Sequence, residues 1–172
     1  MGSRKKECVL LTQEYLKQIL SYNPDTGIWV WQKSLALQIK IGQQAGTILK
    51  SGYRHIRINY KHYKAYRLAW LYMTGEWPKE QIDHINGIKD DNRWCNLREA
   101  TTQQNGWNSK KPKNNTSGYK GISWNKKSKK WTVFIQVNKK NKYLGGYETK
   151  KEAIQIRKEA TAKYHGEFAR FA

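Results

Sequence analysis

One polar stretch of the chain decides its fold, and it begins with Ile82-Asp83-His84-Ile85-Asn86-Gly87. It continues through Asp91-Asn92-Arg93, Asn96-Leu97-Arg98 and Thr101-Thr102, and it ends at Asn105. Asn-Gly is typical of a tight turn, so Asp83 and His84 are predicted to end a strand that enters the turn. Thr101 or Thr102 can cap a helix, which places Asn105 in the first turns of that helix. The stretch therefore predicts a strand pair that leads into a helix.

A strand pair of this kind can bring one carboxylate, one imidazole and two amides to the same point. Oxygen ligands from Asp and Asn suit a hard divalent ion such as Mg²⁺. An imidazole beside such an ion can deprotonate a water molecule. With a cationic surface to hold the substrate, these groups suffice for phosphodiester hydrolysis. The plainer alternative is a turn rich in Asn whose histidine is only hydrogen-bonded.

Charge and cysteine usage narrow the function classes. The chain of 172 residues has a net charge of +20, and 13% of its residues are aromatic. A disordered basic tail would not carry that aromatic surface, so small folded domains are predicted, and nucleic acid is the first candidate partner. Two cysteines, Cys8 and Cys95, without any Cys-x-x-Cys pair exclude a disulfide framework and a zinc finger. The basic N-terminus, residues 1–6, precedes too short an apolar run for a secretory signal, and a soluble protein of a reducing compartment is expected.

Upstream of the polar stretch, the pattern predicts a helix over 11–21 with Thr12 as a cap, and a short strand over 28–31 after the turn 23–27. Two further strands are predicted over 46–50 and 53–59. An apolar helix is predicted over 66–74, and it ends at Gly75.

Downstream, residues 108–117 have the composition of a linker, and 116–172 carry +10 of the charge. Three strands over 119–124, 131–138 and 142–147 and a helix over 149–164 are predicted there. Trp131, Val133, Ile135 and Val137 share the strand face that packs on the helix. The opposite face, which includes Phe134 and Gln136, is left open, and such a face can enter the major groove of DNA.

The run Asp83-His84 … Asn96-Leu97-Arg98 … Asn105, with spacings of twelve and nine residues, resembles the HNH (ββα-metal) nuclease motif of phage HNH homing endonucleases. The resemblance implies that His84 is the general base and that Asp83 and Asn105 are metal ligands. It also implies that Asn96 orients the His84 ring through a hydrogen bond. Tyr66 stands where the family usually has His, as a core residue or a phosphate contact. Arg93 and Arg98 are expected to contact phosphate, with a solvated arginine as the alternative for each.

Residues 116–172 resemble an AP2-type DNA-binding domain, through Ser117-Gly118-Tyr119-Lys120-Gly121-Ile122, Lys130-Trp131, Leu144-Gly145-Gly146-Tyr147 and Glu152-Ala153. The resemblance implies a DNA contact surface made of six residues: Lys120, Ser123, Trp124, Phe134, Gln136 and Tyr143. For Phe134 and Tyr143 the alternative is a local aromatic cluster.

The predicted fold class is α+β: a ββα-metal HNH unit followed by a small three-stranded antiparallel sheet with one helix. The predicted domains are an N-terminal helix-strand segment (1–50), the nuclease domain (51–107), a linker (108–117) and the AP2-like domain (118–172). A chain with this sequence is expected to be an endonuclease dependent on Mg²⁺ or Mn²⁺ that hydrolyses double-stranded DNA, of nicking or homing type. It is expected to act as a monomer on DNA, without a membrane partner, in the cytoplasm of a bacterial host.

Three other functions are compatible with parts of the sequence. The first is an AP2-type DNA-binding regulator with weak or no nuclease activity. The second is a non-specific toxin-type nuclease, although such enzymes need no separate reader. An RNA-directed role is disfavoured because the chain has no RNP-type run of aromatics.

Overall fold

The computed structural model describes residues 11–170, so the basic N-terminus and Cys8 lie outside the described residues. The chain forms two compact units, which divide after Arg98. The four predicted domains divide the chain by function, and they stay a prediction. The α+β fold class with small antiparallel sheets is confirmed.

The part of the first unit that the structure describes contains two helices and most of the strands. In chain order its elements are α1 (Gln13–Ile19), β1 (Leu20–Tyr22), β2 (Trp29–Trp31), β3 (Thr47–Ile48), β4 (Arg54–Ile58), β5 (Lys61–Lys64), α2 (Ala65–Thr74), β6 (Gln81–His84), a 3₁₀ turn (Trp94–Asn96) and β7 (Leu97–Ala100). The boundary between the units falls inside β7.

Helix α1 is shorter than its sequence pattern predicts. Thr12 caps it as expected, since its side chain accepts a hydrogen bond from the Tyr15 amide. The helix ends at Ile19, and the next three residues form β1, which pairs antiparallel with β2. Leu20 and Tyr22 are buried on either side of Ser21, and this alternation fits a strand. The pairing of Leu20 with Trp31 and of Tyr22 with the fully buried Trp29 selects the strand over a further helical turn.

Strands β3, β4 and β5 form a three-stranded antiparallel sheet that supports α2. The sequence pattern did not predict β5. Ile56 and Ile58 of β4 face the core of the unit, together with Leu68 and Leu71 of α2. The chain leaves α2 at Gly75, whose φ of 83° is the left-handed conformation expected of a residue that ends a helix.

The second unit contains α3 (Thr102–Trp107), β8 (Ile122–Asn125), β9 (Lys130–Val137), β10 (Lys140–Tyr147) and α4 (Lys150–His165). Its sheet has the order β10-β9-β8 with antiparallel pairs, and α4 packs on β9. Val133 and Ile135 are buried beneath the helix, as their strand positions predict. Thr149 and Glu152 form a capping box that begins α4.

Helix α3 is packed within the second unit. The Trp107 ring stacks on the His165 ring of α4, with centroids 4.3 Å apart and planes 11° apart. The Lys120 ammonium donates to the carbonyl oxygens of Trp107 (2.7 Å) and Ser109 (2.6 Å) at the end of α3. A helix of six residues has little stability of its own, so these contacts hold it in place.

None of the four helices in residues 11–170 is both long enough and apolar enough to cross a bilayer.

Candidate functional site

Asp83 and His84 are the last residues of β6, and both are buried, at 4% and 5% exposure. The chain turns directly after them, where the Gly87 amide donates to the His84 carbonyl at 2.8 Å. β6 pairs with β7, and α3 follows β7 in the chain. The order strand, strand, helix is the one that the sequence pattern predicts.

The His84 ring is oriented by Asn92. Its Nε2 lies 3.2 Å from Asn92 Oδ1, while Asn92 Nδ2 donates to the Asp90 carbonyl at 3.2 Å. Because that amide nitrogen is the donor, Oδ1 is an acceptor, and the ring donates to it through Nε2–H. In the neutral ring the lone pair that can take a proton is therefore on Nδ1.

Asn96 has a different role from the expected one. Its side chain donates to the Asp91 carbonyl (2.7 Å) and to Asn86 Oδ1 (3.1 Å), and it accepts from the Asn86 amide (2.9 Å). The bond to the His84 ring that was expected of Asn96 is made by Asn92. Asn96 fixes the loop after β6, and this loop carries Asn92 to the ring. The sequence shows both amides, but only the path of the loop decides which of them reaches the histidine.

Two tyrosine rings contact the His84 ring. Tyr66 meets the His84 ring edge-on, with centroids 5.1 Å apart and planes at 87°. The Tyr53 ring lies 5.9 Å from His84 and 5.4 Å from Tyr66. Tyr66 is buried, so at this position it is a core residue that packs against the His84 ring.

Burial lowers the pKa of His84 below its ordinary value. The hydrogen bond that the ring donates to Asn92 and the negative charges of Asp83, Asp91 and Asp90 raise the pKa, but their effect is smaller than that of burial. His84 is therefore neutral at pH 7, the protonation state that a general base needs.

The two arginines of the polar stretch bind carboxylates of the same stretch. Arg98 donates through Nε (3.0 Å) and a terminal nitrogen (2.9 Å) to Asp83 Oδ2. Arg93 donates to both carboxylate oxygens of Asp91, through Nε to Oδ1 (2.8 Å) and through a terminal nitrogen to Oδ2 (2.6 Å), and these hydrogen bonds lower the pKa of Asp91 to about 2. The phosphate contacts expected of Arg93 and Arg98 stay a prediction, and each would have to be made in addition to the ion pair.

The residues expected to hold a metal ion have suitable donor atoms. The Asp83 carboxylate is buried beside His84, and Asn105 supplies an amide oxygen from α3, where it is partly buried. Both are hard oxygen donors, which fit Mg²⁺ or Mn²⁺. Within residues 11–170, no group of three or more His, Cys, Asp or Glu side chains is placed to hold a metal ion. The ligand roles of Asp83 and Asn105 stay predictions.

An N-terminal hairpin supports the Asn92 loop, and sequence reasoning missed it. The Tyr22 hydroxyl donates to the Asn92 carbonyl at 2.6 Å, and the Trp94 amide donates to the Pro24 carbonyl at 2.8 Å. Gly27, with φ of 73°, lies so close that a Cβ there would be 2.5 Å from the carbonyl carbon of Asn92. The Asn-Pro-Asp-Thr-Gly sequence of this turn indicates a turn but not its partner.

Four of the six residues expected to contact DNA lie on one open face of the second unit. Ser123 pairs with Thr132, and Tyr143 pairs with Phe134, so these side chains share the face with Gln136. The rings of Phe134 and Tyr143 contact each other, with centroids 5.2 Å apart, and both rings are exposed. The strand register thus brings Ser123, Phe134, Gln136 and Tyr143 together.

The other two residues lie elsewhere. Trp124 is opposite Trp131 in the register, so it lies on the helix-covered side of the sheet, where the two rings contact each other at 5.2 Å. The Lys120 ammonium is bound to the end of α3, and burial lowers its pKa to about 8, with a further effect from Arg157 and Arg170. Neither side chain belongs to the open face.

A first strand that ends in Asp83-His84, a second strand that begins at Leu97 directly after Asn96, and a following helix that contains Asn105 are the arrangement of an HNH endonuclease domain. The HNH endonuclease family matches residues 63–107. Protein 3.8 of Escherichia phage T7 is 36% identical over 121 residues, which are 67% of this chain and 99% of that protein. The chain therefore belongs to the family of phage Protein 3.8 and carries the HNH domain of a metal-dependent DNA endonuclease. No solved structure matches the chain.

Proposed function

We propose that this protein cleaves double-stranded DNA with Mg²⁺ or Mn²⁺, and that His84 is its general base. The observation that supports the proposal is the His84 ring, which is neutral and oriented by Asn92 so that Nδ1 is the proton acceptor. A buried, oriented imidazole beside a buried carboxylate is the arrangement that a hydrolytic site requires.

In the proposed reaction, His84 Nδ1 takes a proton from a water molecule as the water oxygen attacks the phosphorus of the scissile phosphodiester. The bond from phosphorus to the leaving oxygen breaks, and that oxygen leaves with its electron pair and takes a proton from a solvent water molecule, while the proton on His84 is later released to solvent. A divalent ion held by Asp83 and Asn105 would stabilise the negative charge on the phosphate and on the leaving oxygen. Arg98 donates two hydrogen bonds to Asp83 Oδ2, and it would hold this carboxylate in place.

The protein is proposed to read its target through an AP2-type domain in the second unit. The open face with Ser123, Phe134, Gln136 and Tyr143 has the composition of a surface for the major groove, since Gln can bond adenine bidentately. The charge of +10 on residues 116–172 supplies contacts to the phosphate backbone. Trp124 and Lys120 are left out of this proposed surface because their side chains are elsewhere.

A single general base can act on only one DNA strand at a time, so a monomer is proposed to nick DNA. A homing-type role would add cleavage at a preferred site, and mapping of the cut ends on phage genomic DNA would test it. A second nick on the other strand would require a second molecule or rebinding.

The test of the proposed function is the variant His84→Ala with a duplex substrate and Mg²⁺. Loss of a general base costs about two to four orders of magnitude in rate. DNA binding, measured in EDTA, is expected to stay within about twofold of wild type, which controls for misfolding. Cleavage at the wild-type rate in the variant, or full wild-type cleavage in excess EDTA, would refute the proposal.

A second candidate is a DNA-binding regulator with weak or no nuclease activity. The observation in its favour is the ion pair in which Arg98 already neutralises Asp83. Tight, site-preferring binding by wild type, with no cleavage in either Mg²⁺ or Mn²⁺, would support this candidate.

A further inference from the structure

The sheet of β3, β4 and β5 has one apolar side and one basic side. Register pairs Ile56 with Tyr63 on the side that faces the core. On the other side it pairs His55 with Lys64 and Arg57 with His62. We call these four residues, His55, Arg57, His62 and Lys64, the basic face. Arg57, His62 and Lys64 are exposed.

The segment of sequence that contains the basic face has no acidic residues. From Thr26 to Gly75 the sequence contains eight Lys or Arg and no Asp or Glu. Arg54 of this segment is paired with Asp90, which comes from the loop after β6. The pKa of His55 is lowered by burial first, and then by the positive charges of Lys64 and His62. The basic face is therefore a site of positive potential, which attracts a polyanion.

The basic face continues to the tyrosine rings that contact His84. The Lys64 ammonium lies 5.4 Å from the centroid of the Tyr53 ring and 5.7 Å from that of Tyr66. Lys89 lies 4.9 Å from Tyr53. Both tyrosine rings contact His84. Two ammonium groups thus lie over tyrosine rings that contact His84.

We propose that the basic face binds the phosphate backbone of the DNA duplex and directs one strand to His84. This inference rests on the proposed nuclease function. Arg and Lys contacts to phosphate fix the register of a protein on DNA without reading its sequence. The basic face would thus place the scissile bond, whereas the open face of the second unit would select the site. The distribution of charge along the sequence does not indicate the basic face, because the largest excess of positive charge lies in residues 116–172.

The test compares two double variants that remove the same charge. Arg57→Gln/Lys64→Gln changes the basic face, and Lys33→Gln/Lys40→Gln changes two exposed lysines in the loop between β2 and β3. Binding to a 30-base-pair duplex is measured in EDTA at several salt concentrations. Each lost phosphate contact makes the slope of log K against log salt shallower by about 0.9, so the first variant should lose about 1.8. The second variant should keep a slope close to that of wild type.

Equal slopes for the two double variants would overturn the inference, because the effect would then be one of net charge alone. The variant Arg57→Lys/Lys64→Arg keeps both charges and should restore the wild-type slope. If the glutamine double variant does not fold, each single variant should be shallower by about 0.9, and an unchanged slope in both would overturn the inference. A wild type that binds DNA but never cuts it would refute the proposed function instead.

Discussion

Trp107→Ala tests how far α3, and with it Asn105, depends on the rest of the second unit. Trp107 is partly buried, and its ring stacks on His165. Burial of about half of a tryptophan side chain removes about 100 Å² from water, which is worth about 2.5 kcal/mol. The stack adds about 1 kcal/mol, and the better helix propensity of Ala returns about 0.5 kcal/mol. The variant should therefore weaken the docking of α3 by about 3 kcal/mol.

Hydrogen exchange of the metal-free protein measures this docking directly. The amides of Asn105 and Asn108 donate to the carbonyls of Thr101 and Gln104, so their exchange reports the opening of α3. A loss of about 3 kcal/mol corresponds to exchange about 150-fold faster. If Asn105 is a metal ligand, as proposed, its displacement should also raise the Mg²⁺ concentration needed for half-maximal cleavage. Trp124→Ala is the matched control, because it removes a tryptophan of the same unit that contacts Trp131, and it should leave the exchange of α3 unchanged. Unchanged exchange of α3 in Trp107→Ala would refute the reasoning.

Other perturbations have equally direct expectations. The sequence alone suggests that a chain without residues 116–172 still cuts DNA to some extent. The structure leads to the opposite expectation, because Lys120 and His165 hold α3 in place, and the shortened chain lacks both residues. A nuclease assay of the shortened chain at low salt distinguishes these two expectations. Thermal melts should show a lower melting temperature at pH 5 than at pH 7. Burial lowers the pKa of His84 and His165 in the folded protein, whereas in the unfolded chain both imidazoles bind a proton below about pH 6.5. An equal melting temperature at the two pH values would contradict this reasoning. Gly27→Ala should destabilise the protein by more than about 1 kcal/mol in urea unfolding, because a Cβ would meet the Asn92 backbone and φ is positive. Gln136→Ala should relax preference at one base pair by about 1–3 kcal/mol in competition binding, with an unchanged salt slope, whereas a uniform loss on all duplexes would indicate a phosphate contact.

Much of the fold could be predicted from local patterns. The turn at Asn86-Gly87, the cap at Thr101, the end of α2 at Gly75 and the three strands of the second unit each depend on residues close in sequence. The C-terminal end of α1 could not be predicted, because Leu20 is apolar and fits both a helix face and a strand. Its pairing with Trp31, eleven residues later, selects the strand.

The candidate site, like the fold, has features that the sequence determines and others that depend on tertiary contacts. The residue types and spacing of Asp83, His84 and the following amides determine the HNH class, since the chemistry requires an imidazole and oxygen donors at the end of a strand pair. The family match at residues 63–107 confirms that class. The charge of +20 indicates nucleic acid as the partner without any structural information.

Tertiary structure alone decided which groups contact one another. Asn92 rather than Asn96 reaches the His84 ring, Arg98 binds Asp83, and Lys120 binds the end of α3. Each of these contacts joins side chains whose separation is set by the path of a loop or by the packing of a helix, and a sequence pattern specifies neither. The open face shows the same limit, because strand register placed Trp124 on the opposite side of the sheet from Ser123 and Phe134. Sequence thus determined the chemistry that this protein carries, and long-range packing decided which side chains hold it in place.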